Sequence, residues 1–203
     1  MITIDIKENF NNYIPPFNTK KTINTLLEYT DPQYLSGLKT IILNNASSLS
    51  HDRRRETTWS KGHKVKIVES LGLYHKTRNG IPASIELFVD NIFKGYTRGD
   101  IFLTIAKETI FGEVFFHELG HHIHYSQHPE YAEREIIAEK YARKLFFEFL
   151  KKKYWYLYNL LKLITKIKKP KITKYHEHSR IPSPPAAARP RDPGQAGFHG
   201  HQR

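Results

Sequence analysis

The chain has 203 residues, 39% apolar and 13% aromatic, and no cysteine, which is enough for one domain with a core and marginal for two. Without cysteine, disulfides and thiolate metal sites are excluded, and any metal must be held by His, Asp or Glu. The net charge of +12 is unevenly placed: residues 1–149 carry 19 Lys and Arg against 18 Asp and Glu, whereas residues 150–175 carry nine Lys and no acid, so the body is nearly neutral and does not read as a nucleic-acid-binding domain.

The first ten residues, MITIDIKENF, lack the charged-then-apolar pattern of a signal peptide. Asn18 followed by TKKTINTLLE predicts a short N-capped helix. Leu38–Leu43 (LKTIIL) predicts a first strand, and the polar stretch His51–Lys61 (HDRRRETTWSK) a loop. Val65–Tyr74 and Ile85–Val89 predict two more strands. Between them Asn79-Gly80 is a strong turn dipeptide, so an antiparallel hairpin is expected.

From Ile101 to Ser126 the pattern is helical, with apolar residues all round the wheel, which predicts a buried helix. A second helix is expected over Glu130–Phe149 and a third, basic and aromatic, over Lys152–Lys168, stopped by Pro170. The longest apolar stretch, Tyr154–Ile164, has 11 residues, where a membrane span needs about 20. A soluble, cytoplasmic protein is therefore expected. Beyond it the composition switches to Pro, Ala, Gly and Arg without Lys, which predicts a disordered tail. The expected organisation is an α+β domain over residues 1–150, a small antiparallel sheet packed on the buried helix and the helix after it. A basic helix over 151–175 and a tail over 176–203 follow.

The buried helix contains FFHELGHHIHY, Phe115 to Tyr125, with four histidines in eight positions. His117-Glu118-Leu119-Gly120-His121 matches His-Glu-x-x-His. On a helix, residues four apart lie about 40° apart on the wheel, so both imidazoles face one side and can share one zinc ion. Glu118 flanks them, placed to take a proton from a water without binding the metal itself. The alternative is a pair of core histidines beside an ion-paired glutamate. His122 falls on another face. His124, seven residues after His117, returns to the same face and is a candidate for lining the site. A histidine at 127 would suit a metzincin, but that position is Gln.

Zinc needs a third ligand, and the next helix offers Glu130, Glu133, Glu135 and Glu139. Glu135, Ala138, Glu139 and Ala142 fall on one face, and two alanines there opposite Gly120 would let the helices approach closely. Here HELGHHIH followed by EIIAEKYARKLF resembles the ImmA/IrrE-type zinc metallopeptidases, over roughly residues 65–147. Their HELGH precedes a Glu-x-x-Ala-Asn-x-Phe-Ala helix whose first Glu is the third ligand. The resemblance implies a zincin-like fold and a Zn2+ site of His117, His121 and Glu135. It also implies a polypeptide substrate, with Ala138 and Ala142 as packing residues and Tyr141 in the place of the family's Phe, a candidate for lining the site. Glu139 stands where the family usually has Asn, so the choice between Glu135 and Glu139 stays open. If Glu135 binds zinc, Glu139 one turn on is a candidate to accept a hydrogen bond from a ligating imidazole.

The expected chemistry is peptide hydrolysis by metal-activated water with Glu118 as base. His124, His128, Tyr131 and Tyr141 are the candidate oxyanion donors, and strand Ile85–Val89 the candidate edge for an extended substrate. The rival expectation is a catalytically silent binding module. The lysines of residues 151–169 admit weak contact with nucleic acid or an anionic membrane.

Overall fold

A computed structural model describes residues 3–60, 63–97, 99, 103–127, 135–157 and 159. It is α+β, with a small mixed sheet, a separate two-stranded hairpin and helices. Strands β1 (Asp5–Asn9), β2 (Leu38–Asn44), β5 (Gly72–His75) and β6 (Ala83–Phe88) form one sheet in the order β1-β2-β6-β5, while β3 (Thr57–Ser60) and β4 (His63–Lys66) pair only with each other. The helices are α1 (Thr19–Glu28), α2 (His51–Arg55), α3 (Val89–Ile92), α4 (Thr104–Gln127) and α5 (Glu135–Lys153).

The expected all-antiparallel sheet is corrected: β1 pairs β2 and β2 pairs β6 in parallel, and only β5 pairs β6 antiparallel. Parallel neighbours need crossovers of a dozen or more residues, and the long segments 10–37 and 45–82 supply them. The antiparallel pair is the hairpin the turn dipeptide demands, with Asn79 at φ 52° and Gly80 at φ 77°. Ile85–Val89 is corrected as well. The strand it belongs to, β6, lies between β2 and β5 and offers no edge; β5 ends the sheet on that side.

Several local expectations meet the structure directly. Asn18 caps α1, its side chain accepting from the Lys21 amide at 2.8 Å. The stretch read as a loop after His51 instead forms α2, capped by Ser50, and then β3. The polar strand β1 escapes the sequence reading because only Ile6 of its five residues is buried; charged side chains are what an edge strand tolerates. The Val65–Tyr74 strand is two strands, β4 and β5, separated by a short 3-10 turn over Ile67–Glu69. The third helix expected from Lys152 is corrected at its start: α5 runs on to Lys153 and the chain bends at Tyr154. Most of the rest of that helix, Pro170 and the tail lie outside the described residues, as do residues 130–134 of the second expected helix.

The sheet has two covered faces. In front, Ile41, Leu43, Ile85 and Leu87 join Phe111, Phe115, Leu119 and Ile123 of α4 in the main core. Behind, Leu73 and Phe88 pack with Ala46, Leu49 and Ile67. Helix α4 is buried on most sides, as expected, because it lies between sheet and α5. At one end of this packing Glu108 of α4 accepts from Lys153 Nζ at 2.6 and 2.7 Å and from the Tyr154 hydroxyl at 2.6 Å. That pairing satisfies a carboxylate only 4% exposed. Among the described residues no helix is long and apolar enough to cross a membrane.

Candidate metal centre

Gly120 decides how α5 sits on α4. A Cβ built at Gly120 would strike the Ala138 backbone, 3.0 Å from its carbonyl carbon and closer still to its oxygen. Ala138 is fully buried and Ala142 nearly so. The small residues thus bring two helix backbones together next to His121 and one turn from Glu135, as the spacing of the alanines predicts.

This approach places three donor groups together. His117 Nε2 lies 3.2 Å from His121 Nε2 and 3.2 Å from Glu135 Oε1. His121 Nε2 lies 3.6 Å from Glu135 Oε2. Among the described residues this is the one group of His, Asp or Glu whose ligand atoms converge within 4.8 Å. For metal–ligand bonds of about 2.0–2.2 Å, the edge of a tetrahedron is about 3.3–3.6 Å. The imidazole pair, at 3.2 Å, and the two Glu135 oxygens, each within 3.6 Å of one imidazole, come close to those separations.

Glu139 lies on the other side of His117. Its Oε2 is 3.4 Å from His117 Nδ1, and its Oε1 accepts from Arg143 Nε at 2.7 Å. The hydrogen bond from Arg143, and after it the charges of Arg143 and His117, hold the Glu139 carboxyl below its ordinary value despite some desolvation. Burial, and then the nearby His121, push His117 down, with Glu135 and Glu139 opposing. A neutral His117 that donates Nδ1–H to Glu139 must carry its lone pair on Nε2. That lone pair faces the Glu135 carboxylate, acceptor against acceptor, an arrangement a cation between them would resolve. The residues fit a metal, and the two carboxylates left open by sequence occupy different places: Glu135 with the imidazole pair, Glu139 behind one imidazole.

Glu118 is 7% exposed and points at β5. A Cβ at Gly72 would lie 2.8 Å from Glu118 Cγ and 2.9 Å from its Oε1, so only glycine leaves that carboxylate its place beside the end strand. The sequence reading passed over Gly72, although an isolated glycine inside a strand signals close approach of another group.

His122 turns to the sheet. Its Nε2 donates to the Ser36 carbonyl at 2.9 Å, and its Nδ1 lies 3.3 Å from the Tyr74 hydroxyl, which donates to it. Burial holds His122 below its ordinary value, partly offset by the Ser36 bond. It fastens α4 to β5 and to the turn after Leu35. His124 is fully buried, packed against the Tyr125 ring at 5.9 Å, and is not one of the three converging ligands. The Tyr141 hydroxyl donates to Gln127 Oε1 at 2.8 Å, tying α5 to the end of α4. His128 and Tyr131 lie outside the described residues.

No family model matches the chain, and no curated protein or solved structure matches it significantly.

Proposed function

We propose that this protein is a zinc-dependent peptidase with a zincin-like active site, in which His117, His121 and Glu135 hold the ion and Glu118 is the general base. The observation that carries the reading is the donor triangle, 3.2 Å between the imidazoles and 3.2 and 3.6 Å to the two Glu135 oxygens, with Glu118 next to His117 in the chain on α4. A His2Glu donor set with no thiolate suits zinc in a catalytic site with an open position. When bound there, zinc supplies Lewis acidity, lowering the pKa of water and polarising a carbonyl.

The chain's own residues do the rest. Glu139 fixes the tautomer of His117 and raises its basicity as a ligand. Glu118 takes the proton from water and returns it to the leaving amine. Strand β5 ends the sheet directly beside Glu118, so an extended polypeptide adding to that edge has its backbone next to the base. This favours loops and unfolded segments over folded domains. The absence of thiols is compatible with work in a reducing, cytoplasmic setting.

The test is metal analysis and proteolysis of the full chain against its Glu118→Gln variant. One equivalent of zinc in both, with cleavage of denatured substrate proteins by the wild type alone, is the expected result. Zinc in both with no cleavage by either would replace the reading with a silent metal-binding module. No zinc in either would overturn it.

A further inference from the structure

Strand β5 runs beside two turns of α4 in a fixed register. Gly72 lies against Glu118, where a Cβ would come within 2.8 Å of the glutamate side chain. Two residues on, the Tyr74 ring lies 5.5 Å from that of His122 and 5.7 Å from that of Tyr125. Two further on, Lys76 Nζ stands 5.2 Å from the centre of the Tyr125 ring. The residues between them face the other way: Leu73 packs in the rear core and His75 meets Glu86. This is the alternation of an extended strand, carried one residue past the end of β5. One face of the strand therefore leads from the base to a cation. At ~3.3 Å per residue, the step from Gly72 to Lys76 covers about 13 Å.

The far end of this strip is positive. Residues 70–82 contain Lys76 and Arg78 and no Asp or Glu. Both cations are exposed, and among the described residues neither has a carboxylate partner. Other cations of the domain do: Lys7 pairs with Asp5, Arg53 with Glu86, Arg143 with Glu139 and Lys153 with Glu108. The Tyr125 ring attracts the Lys76 ammonium to its face without neutralising it. A cation held in this way, on the line an extended chain would take past Glu118, rewards an acidic side chain and repels a basic one.

We infer that this site selects polypeptides with an acidic residue about four positions from the bond next to Glu118. Opposed residues in a strand ladder share a face. A chain lying along β5 thus sets one residue against Gly72, the next but one against Tyr74 and the fourth along against Lys76. Asp or Glu is favoured at that fourth place and Lys or Arg disfavoured. The inference deepens the peptidase reading and rests on it for the position of the cut, but not for the binding preference.

The experiment uses fluorescent peptides of Ala, Thr and Ser that carry one Glu, one Gln or one Lys. Their binding to the full-length, zinc-loaded Glu118→Gln chain is followed by anisotropy, and their cleavage by the full-length wild type by mass spectrometry. An exposed ion pair gives about two- to fivefold, and a like-charge contact costs about as much. The Glu peptide should therefore bind about tenfold more tightly than the Lys peptide, with the Gln peptide between them. Lys76→Glu, added to Glu118→Gln, should reverse the order, with circular dichroism and zinc content checking its fold. Moving the Glu along the peptide should move the wild-type cut with it, at a constant spacing. Preference for Glu without any cleavage would sink the peptidase reading and leave the acidic selectivity standing. The inference itself is overturned if no peptide binds, if Glu and Lys peptides bind alike, or if Lys76→Glu leaves their order unchanged.

Discussion

On the back of the sheet, Glu86 accepts from both terminal nitrogens of Arg53 at 2.8 and 3.0 Å, from the Asn44 amide at 3.0 Å and from His75 Nε2 at 3.1 Å. In front, Glu135 meets the Nε2 atoms of His117 and His121, and that of His117 carries a lone pair when its Nδ1–H donates to Glu139. The first carboxylate is completed by donors the chain itself supplies. The second is surrounded by groups that accept as readily as they donate. A buried charge with its own cation and hydrogen bonds is structural; a set of converging acceptors is one that a cation would complete. Stability of the metal-free protein is the quantity that separates the two, and five substitutions sharpen or break the contrast.

The largest loss should come from Gly120→Ala, because the new methyl meets Ala138 backbone rather than a side chain that can turn away. We expect about 4 kcal/mol, beyond the usual ~1–3 kcal/mol of an overfilled core, and a fall in Tm on the order of 10 °C. Zinc stoichiometry should fall with it, since Glu135 rides on α5. A variant of unchanged Tm would mean that the close helix crossing does not position the centre.

Glu86→Gln comes next. Burial alone would raise this carboxyl, but the bonds from His75, Arg53 and Asn44 outweigh it and hold the group at about 2 against an ordinary 4.5. A depressed folded value means that protons favour the unfolded chain. The contribution, about 3 kcal/mol, is thus complete above pH 4.5 and lost as pH falls from 4.5 towards 2. Urea melts should show wild type and variant far apart at neutral pH and converging across that window. A gap that does not narrow in acid would show that the ionised carboxylate is not what stabilises the back face. Zinc binding should be unchanged.

How much of this was open to a reader of the sequence follows from where each feature is encoded. The imidazole pair was legible because a four-residue spacing on a helix is local geometry. So were the Asn18 cap and the Asn79-Gly80 turn. The approach of α5 was legible at one remove, through Ala138, Ala142 and Gly120, since small residues announce a close crossing. The parallel pairing of β1 with β2 was not, because DIKEN has one buried side chain and is a strand only through its neighbour. Nor was the partnership of Arg53 with Glu86, 33 residues apart, in a stretch whose polarity reads as loop. Gly72 and the Tyr74–His122 contact share that character: each is a tertiary meeting of residues whose local sequence is unremarkable.

Tyr74→Phe tests the fastening of the front face and should cost less. It removes the hydroxyl that donates to His122 Nδ1 and leaves a buried acceptor, at about 1 kcal/mol. Because His122 still donates to Ser36 at 2.9 Å, the helix should keep its seat and its zinc. A loss of metal here would mean that the sheet, and not only α5, sets the donor triangle.

The smallest change should belong to Glu135→Gln, and it is the most telling. If the front carboxylate were structural in the way Glu86 is, neutralising it would destabilise the metal-free protein by a similar amount. If it is an acceptor held among acceptors, the amide relieves repulsion and can donate to the His117 lone pair, so metal-free stability should stay within about 0.5 kcal/mol of wild type or rise. Zinc affinity should then collapse, because an anionic ligand has been lost. Glu139→Gln should weaken zinc only about 10–100-fold, the effect of a residue acting through a ligand. Thermal melts in chelator and again in zinc give both readings from one sample: wild type should gain stability with zinc as mass action requires, Glu139→Gln should need more zinc for the same gain, and Glu135→Gln should gain nothing. Equal gains in all three would remove Glu135 from the centre and return the triangle to a cluster of core side chains.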